Sequence, residues 1–262
     1  MHHHPVDEGV SPHCARLSQW AIGTYHDRMS FIAGAHAAVG PYGYSQEEII
    51  EAFTAVVSPE GTHQQIIERI HIATGVKNRN LAIPLKDYAT LADFGAANDH
   101  FIRVGLDLGA SAIAGALATA NLEATDVDMI MSTSVTGIAA PSLEARLIPR
   151  LGLREDVKRV PIFGLGCVAG AAGIARLHDY LVGHPDDVAV LLSVELCSLT
   201  VQRDDVSMPN IVASGLFGDG AAAVVMVGAY RAARMGITGP RVVASRGRLY
   251  PDTERTMGWD IG

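Results

Sequence analysis

The sequence predicts an α/β layered fold in which helices cover both faces of a sheet. Strand-like apolar runs alternate along the chain with helical stretches, as is typical of layered α/β proteins. One run, residues 188–194, is almost entirely aliphatic, which is typical of a strand buried on both faces. The chain has 262 residues, of which 48% are hydrophobic and 18% charged, and this composition suits a well-buried globular core.

The N-terminal residues 1–29 differ from the rest of the chain. They contain His2, His3 and His4 and show no sustained periodicity, so we expect a disordered extension. Met29 is an alternative start, because a strand begins at Ser30. The three adjacent histidines lack further ligands at structural spacing, so no metal site is predicted.

Residues 30–122 contain one strand and three helical stretches. Ser45 and Glu48 form a capping box, which predicts a helix over residues 46–56. The other predicted elements are a turn at 41–44, an amphipathic helix at 62–73 that carries Arg69, a polar loop at 75–80 and an Ala/Gly-rich helix at 91–122.

The second half of the chain repeats the alternation of strands and helices. Pro141 is acceptable as the first residue of a helix, and Gly152 marks the end of that helix. The predicted strands are 127–132, 160–163, 188–194 and 221–227, of which the first three are predicted to be buried. The predicted helices are 142–151 and a helix that begins after Cys167 and continues to Leu181. Residues 203–210 are predicted to form a polar loop and residues 216–220 a tight glycine turn. A further strand begins near residue 242.

Cys167 lies at the predicted corner between a strand and a helix. Gly164 and Gly166 allow the backbone to bend tightly and a ligand to approach. Free N–H groups and the positive end of the helix dipole stabilise a thiolate at such a position, as a nucleophile requires. The alternative is an inert cysteine packed in a tight turn, and the local sequence favours neither interpretation.

The composition excludes several classes of protein. The formal net charge of −8 argues against a nucleic-acid surface. Three cysteines in so long a chain fit a reducing cytoplasm rather than a disulfide framework. We find no secretory signal, and the apolar residues 106–120 are interpreted as a buried helix rather than a membrane span.

Three motifs recur in this order and spacing in one protein family. They are FGLGCVAGA at 163–171, VELCS at 194–198 and LFGDGAA at 216–222. Together with the ending MGWDIG at 257–262, they closely resemble type III polyketide synthases, the chalcone synthase-like members of the thiolase superfamily, and most of all the actinobacterial alkylpyrone type. The third motif is shared widely in that superfamily and discriminates poorly.

The resemblance implies a thiolase-like αβαβα fold built from two similar halves and assembled as a homodimer. Residues 30–230 would form the N-terminal domain, and residues 231–262 would begin an incomplete C-terminal domain. The implied substrates are acyl-CoA and malonyl-CoA, with no bound cofactor.

The resemblance also assigns roles to individual residues. Cys167 matches the nucleophile that takes an acyl group from acyl-CoA and is then extended by decarboxylated malonyl-CoA. The other matches are Phe217 as aromatic gatekeeper, Thr136 and Gly137 in the loop at the initiation cavity and dimer contact, Cys197 and Thr200 on the elongation cavity, Gly262 on the cyclisation cavity and Arg69 at a CoA phosphate. Ala73 stands where plant relatives carry a second basic CoA contact.

The family's cysteine works with a histidine and an asparagine from the second half of the fold. The histidines that follow Cys167 are His178 and His184. His178 lies about 16 Å along the same helix at about 1.5 Å per residue, and we expect both histidines at the surface rather than as bases. The chain alone is therefore expected to be inactive or impaired. The alternatives are a catalytically incomplete remnant, a half that pairs with another chain, or a ketoacyl-ACP synthase III-like condensing enzyme.

Overall fold

The computed structural model of the chain describes residues 29–203 and 205–258. Its strands form a six-stranded mixed sheet and a two-stranded antiparallel sheet. The strands are β1 Ser30–Val39, β2 Tyr42–Ser45, β3 Asn78–Leu81, β4 Met129–Ser134, β5 Lys158–Phe163, β6 Val188–Leu196, β7 Asp219–Gly228 and β8 Arg241–Val242. The helices are α1 Gln46–Val57, α2 Gln64–Ala73, α3 Phe94–Ala120, α4 Leu143–Leu151, α5 Ala169–Gly183, α6 Met208–Leu216 and α7 Ala229–Met235.

The order of strands in the large sheet decides which loops meet. The order is β5-β4-β6-β7-β1-β8, with β4 parallel to both β5 and β6 and β7 antiparallel to β6. The carboxyl ends of three parallel strands and the beginning of β7 therefore lie together. We call this the site edge of the sheet.

The side chains of β6 alternate between two hydrophobic clusters. Leu192 packs with the long helix α3 and with α4, whereas Leu191 packs with α5. We call these the α3 face and the α5 face of the sheet. The α/β prediction with helices on both faces is confirmed, and β6 is buried on both sides as expected.

A small lobe lies beside the site edge and consists of the β2–β3 sheet, α1 and α2. Ser45 caps α1, and the predicted capping box with Glu48 is present. The lobe has a hydrophobic cluster of its own, formed by Phe53, Val57 and Ile67 with Ile211 of α6. This cluster joins the lobe to α6, which leads directly into β7.

Three predictions of local structure are wrong. Strand β5 is not buried, because it is the edge strand of the sheet and Phe163 is 54% exposed. Residues 42–45 and 78–81 pair with each other as strands, although their polar and glycine-rich sequences were interpreted as turn and loop. Pro141 does not begin α4, which starts at Leu143 after the N-cap Ser142.

Helix α6 was missed between the predicted loop and glycine turn. Its start carries two ordinary signals, Ser207 at the N-cap and a proline in the first turn. The predicted glycine turn is instead the junction at which α6 ends and β7 begins. The sequence correctly predicted the strand that begins at Ser30, the strands at 129–134 and 219–228, and the long helix, apart from the residues at which they end.

Within the described part of the chain, α3 is the helix long and apolar enough to cross a membrane by length and composition. Phe101, Ile113 and Ala116 on one side of α3 are fully buried in the cluster of the α3 face. We therefore interpret α3 as the core helix that the sequence predicted.

Candidate active site

The corner at Cys167 has the predicted strand-to-helix geometry. After Phe163 ends β5, Gly164 and Gly166 adopt φ angles of 89° and 59°, a region in which glycine is the default residue. A single 3-10 turn over Gly166–Val168 carries Cys167 into α5. The Cys167 side chain is exposed to solvent, so a ligand can reach its thiol from outside.

Most of the predicted site residues lie at the site edge. Thr136 and Gly137 follow β4, Cys167 follows β5, Cys197 and Thr200 follow β6, and Phe217 precedes β7. Residues far apart in sequence are brought together there because the strands that carry them are neighbours. Arg69 lies elsewhere, on the exposed side of α2, and Gly262 lies outside the described residues.

Glu195 ties two of the loops at this edge together. Its carboxylate accepts hydrogen bonds from the backbone N–H of Val135 at 3.1 Å and from the hydroxyl of Thr136 at 2.7 Å. The Thr136 oxygen in turn accepts from the N–H of Leu196 at 2.9 Å. Burial raises the pKa of Glu195 above its usual value. The Thr136 side chain is thus used to join the loop after β4 to the end of β6.

Gly137 is held against the side chain of Phe101 in α3. A Cβ atom built on Gly137 would lie 2.1 Å from the phenyl ring, a distance that no side chain tolerates. Asn98 of α3 fixes the next residue by donating to the carbonyl of Ile138 and accepting from its N–H, both at 2.8 Å. The loop that carries Thr136 and Gly137 is therefore anchored on the α3 face.

Cys197 is a half-buried thiol at the end of β6. Burial raises its pKa to about 12, and the charges of Asp219, Glu195 and Cys167 act in the same direction. Its backbone carbonyl accepts a hydrogen bond from the hydroxyl of Thr200 at 2.8 Å. Because Cys197 stays protonated at neutral pH, it is suited to line a site rather than to attack a substrate.

Asp219 fixes the chain two residues after Phe217. Its carboxylate accepts from the N–H groups of Ala82 at 2.6 Å and Ser198 at 2.8 Å, and from the Ser198 hydroxyl. Burial raises the pKa of Asp219 to about 6. The Ser198 hydroxyl also contacts the phenol of Tyr88, so β3, β7 and the segment after β6 share one polar cluster.

The two histidines after Cys167 do not lie beside it. His178 was expected at the surface, but it is buried and its Nδ1 lies 2.9 Å from the hydroxyl of Ser30 in β1. The expectation failed because β1 covers this side of α5. His184 is exposed beyond the end of α5, as expected, and its ring stacks on Tyr180.

Three polar residues of the site were not assigned roles from the sequence. Glu195 and Asp219 lie within the motifs VELCS and LFGDGAA. The position of Glu195, as a single carboxylate at the end of an aliphatic strand, is a signal that could have identified it as a site residue. Arg79 belongs to the predicted polar loop at 75–80, yet it is buried and its Nη1 donates to the carbonyl of Phe217 at 2.9 Å. No local signal marks Arg79, because its burial depends on α6, which lies far away in sequence.

No group of three or more His, Cys, Asp or Glu side chains suited to a metal ion is found among residues 29–203 and 205–258. The adjacent histidines His2, His3 and His4 lie outside the described residues. Within the described region, the site edge therefore offers one exposed thiol, one protonated thiol and buried carboxylates that are already hydrogen-bonded.

Known proteins resemble the chain in sequence. The family model for FAE1/type III polyketide synthase-like proteins matches residues 103–237. A 1,3,6,8-tetrahydroxynaphthalene synthase of Streptomyces peucetius subsp. caesius is 54% identical over 257 residues, which make up 98% of this chain and 67% of that protein. A synthase of the same name from Streptomyces coelicolor is 36% identical over 188 residues, which make up 72% of this chain and 49% of the relative.

The fold resembles solved structures as well. The crystal structure of the tetrahydroxynaphthalene synthase from Streptomyces coelicolor A3(2), described as a bacterial type III polyketide synthase, aligns with a TM-score of 0.80 at 31% identity. The alignment covers 88% of this chain and 65% of that chain. Across these comparisons, this chain spans between 49% and 67% of the length of its relatives.

Proposed function

Because the chain belongs to the type III polyketide synthases, with the thiolase-like α/β fold of that family, we propose that Cys167 carries the acyl group in a condensation of CoA thioesters. The observation that carries the proposal is the exposed thiol of Cys167 at the glycine corner before α5. A carrier nucleophile must be reached by a large substrate from solvent, and this corner is open.

The proposed reaction begins with attack of the Cys167 thiolate on the carbonyl carbon of an acyl-CoA. The new C–S bond holds the acyl group, and the CoA thiolate leaves. Malonyl-CoA then loses CO₂, and its carbanion attacks the thioester, which forms a C–C bond and releases the Cys167 thiolate. No bound cofactor is needed in this scheme. Phe217, Cys197 and Thr200 line the space beside the thioester, and Arg69 contacts the CoA phosphates.

The extension step needs a group that polarises the malonyl thioester. His178 is engaged with Ser30 inside the fold and His184 is exposed beyond α5, so neither is suited to this task. We therefore propose that this chain by itself acylates Cys167 slowly and extends the acyl group poorly or not at all.

Acylation is tested with a radiolabelled or mass-resolved acyl-CoA and the full chain. We expect label on Cys167 in the wild-type protein and none on that peptide in Cys167→Ala. The variant Arg234→Gln is the control, because Arg234 is exposed and paired with Asp186 on the surface. Equal labelling of wild type and Cys167→Ala would overturn the proposal.

The starter and product are proposed in two forms. The motifs favour a fatty acyl starter and an alkylpyrone, whereas the relatives named tetrahydroxynaphthalene synthase favour a naphthalene product, which bears hydroxyl groups and no alkyl chain. The two products are distinguished with a protein preparation that carries out the extension step. It is incubated with malonyl-CoA alone and, separately, with malonyl-CoA and a fatty acyl-CoA. A product that forms only with the fatty acyl-CoA supports the alkylpyrone, and an aromatic product from malonyl-CoA alone supports the naphthalene. If extension required malonyl-ACP, the carrier-protein alternative would replace both.

We further propose that the chain forms a cytoplasmic homodimer through β5. No strand lies beyond β5 in the described part of the chain, and an open edge presents backbone groups to another chain. Phe163, the last residue of β5, adds exposed apolar surface at the same edge. Light scattering after size exclusion should show a dimer that Phe163→Asp converts to monomer. If the wild type is a monomer that melts cooperatively, the alternative of a half that awaits a different chain is favoured.

A further inference from the structure

Arg79 is a buried cation whose contacts reach the end of α6. Only 6% of the residue is exposed, and burial lowers the pKa of its guanidinium. Its Nε donates to the Gln46 side chain at 3.2 Å, and its Nη1 donates to the carbonyl of Phe217 at 2.9 Å. The last carbonyls of a helix lack partners within the helix and carry the negative end of its dipole, so a cation stabilises them.

The same helix end is held from a second side. The amide of Gln46 donates to the carbonyl of Gly215 at 2.8 Å and to that of His71 at 3.1 Å. The hydroxyl of Thr74 also reaches the Gly215 carbonyl, at 3.4 Å. The final turn of α6 is therefore fixed by side chains of the small lobe rather than by the six-stranded sheet.

Burial of Arg79 lowers the stability of the fold, because its guanidinium is not fully hydrogen-bonded. Its Nη2 is buried and has no hydrogen-bond partner among the described residues, and Asp219 acts on it only through space. Hydrogen bonds fix the backbone at Phe217 and again two residues after it. Arg79 binds its carbonyl, and two residues later the Asp219 carboxylate is bound by Ala82 and Ser198.

We propose that Arg79 is a positioning residue for Phe217 and, through it, a determinant of which acyl groups fit beside Cys167. The first part concerns the fold of this chain alone. The second part rests on the proposed function, in which Phe217 lines the acyl site. Arg79 would then control selectivity without touching the acyl group.

The position of Phe217 is tested by fluorine NMR of the full chain with fluorophenylalanine in place of its 6 phenylalanines. The Phe217 resonance is assigned by its loss in Phe217→Leu. We expect this resonance to shift or split in Arg79→Gln and to keep its position in Arg79→Lys, which retains a cationic donor. The remote control Arg234→Gln should leave the whole spectrum unchanged.

Two results would overturn the positioning role. One is a Phe217 resonance in Arg79→Gln that stays in place while other phenylalanines shift. The other is an equal shift of all the phenylalanine resonances, which indicates that the whole fold has become looser. If Arg79→Gln does not fold, Gln46→Met replaces it, because this change removes a partner of the same guanidinium; an unchanged Phe217 resonance in folded Gln46→Met would likewise count against the proposal.

Selectivity is tested by the rate of Cys167 acylation with short-chain and long-chain acyl-CoA. We expect the ratio of the two rates to change about three- to tenfold in Arg79→Gln, the equivalent of one hydrogen bond. The same variant made in Phe217→Leu should change the ratio no further. Equal slowing of both rates, or additive changes, would contradict the selectivity role. If no acyl-CoA labels the wild type, the proposed function and the selectivity role fail together, whereas the NMR result decides the positioning role by itself.

Discussion

The two faces of the large sheet are covered unequally by helices. Leu192 and Leu191 are adjacent in β6 and both are buried. Leu192 packs under Gly109 of α3, a helix of 27 residues assisted by α4, whereas Leu191 packs under Gly173 of α5, a helix of 15 residues. On the α5 face, a row of small side chains in β1 and β7 remains exposed: Ala35, Ala37, Val39 and Ala222.

The difference separates stability from function. The α3 face holds the larger hydrophobic cluster and anchors the loop at Gly137, so it supplies a rigid support. Cys167 begins the helix of the less covered face, where access is open. Functional groups are commonly drawn from the parts of a fold that open most readily. The following changes test whether the two faces differ in this way, from the largest expected effect to the smallest.

Removing one leucine from each face should give unequal losses of stability. We expect Leu192→Ala to lower the free energy of unfolding by about 4 kcal/mol, and Leu191→Ala by about 2 kcal/mol, because α5 can settle into the space while α3 is held on several sides. Urea unfolding of both variants measures the difference. Equal losses would mean that both faces are packed alike.

Adding one methyl group should have opposite signs at two glycines. Gly137→Ala forces a Cβ into the Phe101 ring and should cost about 2 kcal/mol. A Cβ at Gly170 of α5 meets no atom within 4 Å, so Gly170→Ala should stabilise by about 0.5–1 kcal/mol through helix propensity. Thermal melting compares the two variants. Destabilisation by Gly170→Ala would show that the α5 face is covered.

Acid should weaken the small lobe without changing the difference between the faces. Burial, aided by the charge of Arg79, lowers the pKa of His71 from 6.5 to about 4. The unfolded chain therefore binds more protons between these values, and the stability that neutral His71 contributes above pH 6.5 is lost as the pH falls toward 4.

The contribution of His71 is isolated by comparison with His71→Gln, which retains a donor for Ser214. Between pH 7 and pH 5 the wild type should lose about 1–2 kcal/mol more than the variant. The raised pKa of Asp219 acts in the opposite direction, but it is present in both proteins and cancels in the difference. Parallel pH profiles from urea unfolding would show that His71 is not responsible.

Sequence patterns predicted the elements whose signals are local. The capping box at Ser45, the long helix and the aliphatic strand β6 depend on periodicity and on residues a few positions apart. The glycine corner at Cys167 was predictable for the same reason, since Gly164 and Gly166 are needed for its backbone angles.

Features that depend on distant partners were missed. The strand β5 has an apolar sequence typical of a buried strand, but its exposure is set by its place at the end of the strand order. Arg79 and His178 are polar residues without a local signal, and their hydrogen-bond partners Phe217 and Ser30 lie far along the chain. Local periodicity contains no information about such contacts.

The pairing of β1 with β7 also has a consequence for how the protein is made. Ser30 lies opposite Gly228 in the sheet, so nearly the whole domain must be synthesised before the first strand meets its neighbour. At about 5–20 residues per second, a ribosome needs about 10–40 s to cover that interval. During this time β1 has no partner strand in β7, and an unpaired strand presents backbone groups that can pair with another chain. Slowing translation before residue 219 should therefore lower the soluble yield more than slowing it after residue 228.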